Sequence, residues 1–170
     1  MIRWSRSLLL VLCALLLRPA SAQYTNIPFT SGPIPLCDTS TFTANVTGIG
    51  TLYPPGMNFW TYSLQQLLMN VTSDHPQTLM ITLTSPQGTD LLLSAYNGAG
   101  GQNYTNTVFT YSDWNTPITS GTAPFTGTWT AQGGGLDAFD YENADGTWTI
   151  TIVDTACVNT GGGGGGGGIA

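Results

Sequence analysis

The stretch that decides the fold is residues 145–154, with the sequence DGTWTITIVD. Trp148, Ile150 and Ile152 alternate with threonines, and a period of two places apolar and polar side chains on opposite faces of a strand. The Asp-Gly pair that opens the stretch is typical of a hairpin turn. We therefore predict a strand over 147–154 that buries Trp148.

Three further strands are predicted over residues 78–84, 89–96 and 103–111. In the first, Leu79, Ile81 and Leu83 share one face, which we expect to line the core. The sequence SPQG at 85–88 joins the first two strands as a turn, since Pro presets φ and Gly tolerates a positive φ.

The other segments also favour an all-β chain. Residues 57–69 suit either a strand or a short helix, and we favour a strand because aromatic and polar residues alternate early. Residues 23–36 are an irregular leader, and loops are expected at 97–102, 115–128 and 131–135. Short strands at this spacing predict an antiparallel β-sandwich or jelly roll.

Charge excludes several functions. Charged residues make up 7% of the chain, and all three basic residues, Arg3, Arg6 and Arg18, precede all nine acidic ones. From residue 23 onward no cation remains, which argues against nucleic-acid binding and a basic membrane patch.

Residues 1–22 have the pattern of a secretory signal peptide. Arg3 and Arg6 precede an apolar run at 8–17, and Ala-Ser-Ala at 20–22 supplies the small residues of a cleavage site. Ten apolar residues are too few to span a bilayer, which takes about 20. We predict a secreted or cell-surface domain over 23–160, without a transmembrane segment after cleavage, and a flexible glycine-rich tail over 161–170.

Cys37 and Cys157 remain after cleavage, and an even number of cysteines in an exported chain predicts a disulfide. The alternative is a reactive thiol pair, which needs a nearby cation or helix N-terminus.

From about residue 74 to 160 the chain resembles the P domain, or P/Homo B domain, of kexin- and furin-like subtilisin proteases and of secreted bacterial proteins. The matching segments are LMITLTSPQGT at 79–89, GAGGQNY at 98–104, PFTG at 124–127 and DGTWTITIVD at 145–154. The resemblance implies a galactose-binding-like jelly roll that carries no catalytic residue, packs against a protease domain and stabilises it.

The chain departs from that family in two ways. The family usually ends in a further Trp-containing strand, whereas here residues 159–161 run into glycines. Either the chain is a fragment of a longer protein such as a serine endopeptidase, or its sheet lacks a strand and has an exposed edge. The segment before residue 74 is also too short for a protease domain.

No catalytic set is evident. His75 is the sole histidine, and in Ser73-Asp74-His75 neighbouring side chains of a strand-like segment point to opposite faces, so we expect a structural role.

Two binding sites are candidates. The first is a calcium site formed by the carboxylates of one loop, Asp137, Asp140, Glu142 and Asp145, whose alternative is a solvated acidic loop. The second is a glycan- or peptide-stacking face drawn from the aromatic residues Trp60, Tyr104, Trp114, Trp129 and Tyr141, with Trp114 and Trp129 preferred.

The sequence therefore predicts a secreted, non-catalytic module that stabilises or targets a subtilisin-like protease or another extracellular protein. A surface-adhesion or carbohydrate-binding module is the alternative.

Overall fold

The computed structural model describes residues 25–57, 61–98 and 100–157. They form seven strands: β1 Thr39–Val46, β2 Gln66–Val71, β3 Leu79–Thr84, β4 Asp90–Ala95, β5 Tyr104–Thr110, β6 Phe125–Trp129 and β7 Gly146–Asp154. Single-turn 3-10 helices lie at Pro76–Thr78, Ile118–Ser120 and Leu136–Phe139. The predicted signal peptide and the glycine-rich tail lie outside the described residues.

The strands build two sheets that form a sandwich. The larger sheet has the order β1-β7-β3-β4 and the smaller one the order β2-β5-β6. This confirms the predicted all-β sandwich. Its strand pairs are antiparallel except β5–β6, which is parallel and was not predicted.

Strand β7 occupies the centre of the larger sheet. It pairs with β1 on one side, where Thr41 lies opposite Thr151, and with β3 on the other, where Ile81 lies opposite Ile152. The hairpin interpretation of its opening Asp-Gly pair is wrong, because β7 does not pair with the preceding strand β6. Two distant segments of the chain therefore meet on its last described strand.

The predicted core face of β7 is buried. Trp148 is 5% exposed and packs edge-on against Phe139, with ring centroids 5.0 Å apart. Its indole Nε1–H donates to the carbonyl oxygen of Ala144 at 2.9 Å, so the ring is buried without an unpaired donor. Leu79 and Ile81 of β3 line the same core.

The smaller sheet contributes an aromatic stack. Tyr104 packs on Phe125 with centroids 4.8 Å apart, and Phe125 meets Trp129 edge-on at 5.9 Å. Gly121 faces this stack at close range, since a Cβ added there would lie 2.7 Å from Trp129 Cη2. Only a glycine fits there without a shift of the ring.

The remaining strand predictions are confirmed only in part. β3, β4 and β5 lie where predicted, within two residues at each end, but β2 begins at Gln66, late in the predicted 57–69 strand. β6 begins within the predicted loop 115–128, so that loop is partly wrong. β1 is not among the predicted strands, although Phe42, Ala44 and Val46 alternate along it with polar residues.

Turn 85–88 forms as predicted. Gly88 donates its N–H to the carbonyl oxygen of Ser85 at 3.0 Å and has a φ of 87°, a value that glycine adopts without strain.

A disulfide joins Cys37 to Cys157, as predicted, across a sequence separation of 120 residues. It ties the segment before β1 to the segment after β7. Upstream of it, Thr30 donates its N–H to the carbonyl oxygen of Thr43 at 2.8 Å, so the irregular leader lies along β1.

Removing this disulfide should destabilise the fold. A Cys37→Ser/Cys157→Ser double variant should lose up to about 4–5 kcal/mol of unfolding free energy, because the unfolded chain regains the entropy of the open loop. Urea unfolding measures the loss. The reduced wild-type protein is the matched control and should match the double variant; equal stability of oxidised and reduced wild type would contradict the prediction.

Candidate functional site

A cleft of about 310 Å³ opens where the leader meets the end of the larger sheet. Its lining residues are Ile34, Leu36, Thr72, Ser73, Asp74, His75, Leu79 and Asp154. The cleft forms because the leader runs past the loop that connects β2 to β3, and the nearby disulfide holds the leader in place.

The Ser-Asp-His run lies at the mouth of this cleft but is not arranged as a catalytic triad. The hydroxyl of Ser73 accepts the backbone N–H of His75 at 3.1 Å, while Asp74 Oδ1 accepts the side chain of Gln102 at 3.0 Å. His75 is exposed and precedes the first 3-10 turn, where its carbonyl oxygen accepts the Thr78 N–H at 3.0 Å and the Thr78 hydroxyl at 2.9 Å. These bonds shape a turn, and they do not align a nucleophile with a base.

Asp154 forms the floor of the cleft and is 6% exposed. Its Oδ1 accepts the hydroxyl of Thr78 at 2.8 Å and the N–H of Ala156 at 2.8 Å. A buried carboxylate is tolerated only where donors replace its lost water. Asp154 therefore fixes the end of β7 to the start of β3, three residues before the disulfide.

The four predicted calcium ligands lie on the loop that leads to β7, but three of them accept hydrogen bonds from three different residues. Asp140 Oδ2 accepts the hydroxyl of Tyr111, and Glu142 Oε1 accepts the hydroxyl of Thr89.

The other two candidate ligands, Asp145 and Asp137, also lie in different environments. Asp145 Oδ1 accepts the N–H of Ile49 at 2.8 Å, and Asp137 is exposed. Within 25–57, 61–98 and 100–157, no three Asp, Glu, His or Cys side chains group as a metal site. Calcium binding stays a prediction.

The acidic loop perturbs one tyrosine. Loss of water, the hydrogen bond to Asp140 and the charges of Asp140 and Asp137 all raise the pKa of Tyr111 above its usual 10.0. Burial also raises the pKa of Tyr104, whose hydroxyl lies 2.9 Å from Ser94 Oγ.

The candidate stacking residues lie in different environments. Trp114 is 92% exposed, whereas Trp129 is half-buried against the core and donates its indole N–H to the carbonyl oxygen of Thr126 at 3.2 Å. Tyr141 is exposed and meets Tyr53 edge-on at 5.8 Å. The expectation of an exposed Tyr104 is wrong, because its ring is 1% exposed in the sandwich core.

Trp60 lies outside the described residues, and glycan binding stays a prediction.

Sequence reasoning missed the role of Asp154, whose only signal was an acidic residue at the inward-facing position of a strand that otherwise buries apolar side chains.

No helix in the described part of the chain is long and apolar enough to cross a membrane.

The sandwich and its cleft thus define a β-module that assembles no catalytic triad among Ser73, Asp74 and His75. A family model described as the proprotein convertase P-domain matches residues 63–162. The match covers more than half of the 170 residues, and the chain belongs to this family. P domains are non-catalytic accessory domains.

Among solved structures, the chain is similar to a chain in the crystal structure of the Aeromonas sobria serine protease and its chaperone. The two are 18% identical, with a TM-score of 0.27, and the similarity covers 73% of this chain and 21% of that one. This chain thus spans about a fifth of the length of that relative. A search of curated proteins finds no match.

The buried carboxylate gives a sharp mutational test. Asp154→Ala should destabilise the fold by about 1–3 kcal/mol, because the N–H of Ala156 and the hydroxyl of Thr78 lose their acceptor. Asp154→Asn is the matched control, since its amide oxygen still accepts both bonds, and it should lose less. Chemical denaturation measures both variants, and an Asp154→Ala variant as stable as the wild type would refute the role.

Alkaline pH should destabilise the protein. In the folded state Tyr104 and Tyr111 have a pKa raised above 10.0, so both stay protonated while the tyrosines of the unfolded chain ionise. The unfolded state then binds fewer protons, and the unfolding free energy falls as pH rises above about 10.

Urea unfolding between about pH 8 and pH 11 measures this fall. Tyr104→Phe and Tyr111→Phe should each make the fall shallower. The exposed Tyr96 supplies the control Tyr96→Phe, and an equal effect of all three substitutions would contradict the assignment.

Proposed function

We propose that this protein is a secreted accessory module that associates with a subtilisin-like serine protease domain and stabilises it. The family match over residues 63–162 carries the proposal. The chain contributes no catalytic group in this proposal; it contributes a rigid folded surface.

The rigidity has a structural source. The disulfide between Cys37 and Cys157 closes the ends of the described domain, and β7 is paired on both sides. A surface that is already ordered loses little conformational entropy when it binds. A partner that binds only the folded protease domain shifts that domain away from its unfolded state by mass action.

Secretion is supported by two independent features. Residues 1–22 have the pattern of a signal peptide. The disulfide is also typical of an oxidising compartment outside the cytosol.

The activity of the isolated protein tests its non-catalytic nature. The full chain, incubated with a fluorophosphonate that labels reactive serines, should stay unlabelled and should not hydrolyse casein. Labelling that disappears in Ser73→Ala would overturn this half of the proposal.

The association is tested in the native host. The tagged protein should retain a protease that the fluorophosphonate labels, and deletion of its gene should shorten the thermal inactivation half-life of that protease severalfold. Adding back the purified protein should restore the half-life. If no labelled protease is retained, or if its half-life is the same without the module, the proposal fails.

A further inference from the structure

The two sheets have four edge strands. In the larger sheet both edge strands, β1 and β4, are contacted by other segments of the chain. The leader lies along β1 through the bond from Thr30 to Thr43. Along β4, the N–H groups of Gln132 and Gly133 donate to the carbonyl oxygens of Leu93 and Leu92 at 3.1 and 2.8 Å. Neither edge therefore has a continuous row of free backbone groups.

The smaller sheet is different on its two sides. β6 contains Gly127 at a φ of 83°, which breaks its regular extension, and the next pairing, at Thr130, is taken by residues 116–118. β2 has no neighbour on its outer side among the described residues. Unlike β6, β2 contains no glycine that interrupts the strand.

The register shows which backbone groups of β2 are free. Tyr111 donates its N–H to the carbonyl oxygen of Gln65 at 3.0 Å, so the two form a hydrogen-bonded pair. Pairs alternate along an antiparallel ladder, which turns the N–H and C=O groups of Gln66 and Leu68 away from β5. No described residue donates to these groups or accepts from them.

Two features that usually protect an edge, charged side chains and proline, are absent from β2. Its sequence, QLLMNV, contains no charged residue and no proline, and the ladder irregularity lies at its far end, between Met69 and Val71. Leu68 projects outward and is 60% exposed. An uncharged edge with free backbone groups can act as a template for a further strand.

Charge at the two ends of β2 indicates what that strand would be. Asp74 follows the C-terminal end of β2, and Asp113 follows Thr110, which pairs with Gln66 at the other end; both acids are exposed. No Lys or Arg lies in the described residues to neutralise them.

An exposed aromatic ring lies at one of these ends. Trp114 follows Asp113, and its loop is held by a 2.7 Å bond from Asn115 Nδ2 to Thr110 Oγ1. An exposed tryptophan beside a carboxylate favours a cation.

We propose that the free edge of β2 is a strand-addition site for an extended segment of another chain, with an uncharged centre and Lys or Arg at both ends. Main-chain bonds to Gln66 and Leu68 supply the pairing, and the acids at each end of the strand select basic flanks. A second copy of this chain fits less well because both copies are acidic. The site depends on this edge alone and not on protease association.

The first test uses the full chain and a designed probe peptide, acetyl-Lys-Lys-Val-Thr-Val-Thr-Val-Lys-Lys-amide. A second peptide with Glu in place of every Lys is the matched control. The Lys peptide should bind at least about tenfold tighter than the Glu peptide and more weakly at high salt. Hydrogen exchange at the amides of Gln66 and Leu68 should slow when it binds.

The second test separates backbone pairing from side-chain contact. Leu68→Pro removes an outward N–H without touching the ladder to β5, whereas Leu68→Val keeps that N–H. Leu68→Pro should bind the Lys peptide about tenfold more weakly than Leu68→Val. Should Leu68→Pro fail to fold, a Lys peptide methylated at alternate backbone nitrogens tests the same bonds and should not bind wild type.

Several outcomes would overturn the proposal. The proposal fails if the Lys and Glu peptides bind with equal affinity, or if neither peptide binds. It also fails if Leu68→Pro binds the Lys peptide as tightly as Leu68→Val does, or if the methylated peptide binds the wild-type protein. Amides of Gln66 and Leu68 that are already protected in the free protein would show that another part of this chain fills the edge. Protection that grows with protein concentration would show that a second copy does.

Discussion

The double-sided pairing of β7 is the interaction on which the rest of the structure depends. Its N–H and C=O groups hold β1 on one side and β3 on the other, and its inward face carries Trp148, Ile150 and Ile152 into the core. Without β7 the larger sheet would split into the lone strand β1 and the β3–β4 hairpin. A two-stranded hairpin is marginal in water, so the sandwich forms only when its last described strand is in place.

This arrangement explains why polar contacts gather at the end of β7. The strand must end at a defined point for both neighbours to keep register, and Asp154 fixes that point through Thr78 and Ala156. The disulfide at Cys157 follows directly. The cleft forms beside these contacts because the disulfide holds the leader against the end of the larger sheet.

Much of the fold could be predicted from local pattern, and the exceptions have physical reasons. Alternation revealed β3 and β7, because each buries one face. β6 was missed because Gly127 and its threonine neighbours resemble a loop, although Phe125 is fully buried. Sheet order could not be predicted, since it depends on contacts between distant segments. For this reason the hairpin prediction at the start of β7 was wrong, and the free edge of β2 was not predicted.

The candidate sites were harder to predict than the fold. An acidic loop in the sequence does not show which donors each carboxylate will meet, and here Tyr111, Thr89 and Ile49 meet three of the four. Tyr104 resembles a surface aromatic among its polar neighbours, yet it lies in the core because β5 is central in its sheet. Burial of this kind follows from topology and not from composition.

The lack of Lys and Arg after Arg18 has a further consequence. Endopeptidases that cleave after basic residues find no recognition site on the folded surface, on its loops or on the unfolded form of this domain. Other domains resist such enzymes only while they stay folded, and each local opening exposes them. Here the resistance comes from the amino-acid sequence and not from the fold, so it persists when heat, denaturant or local opening unfolds a strand.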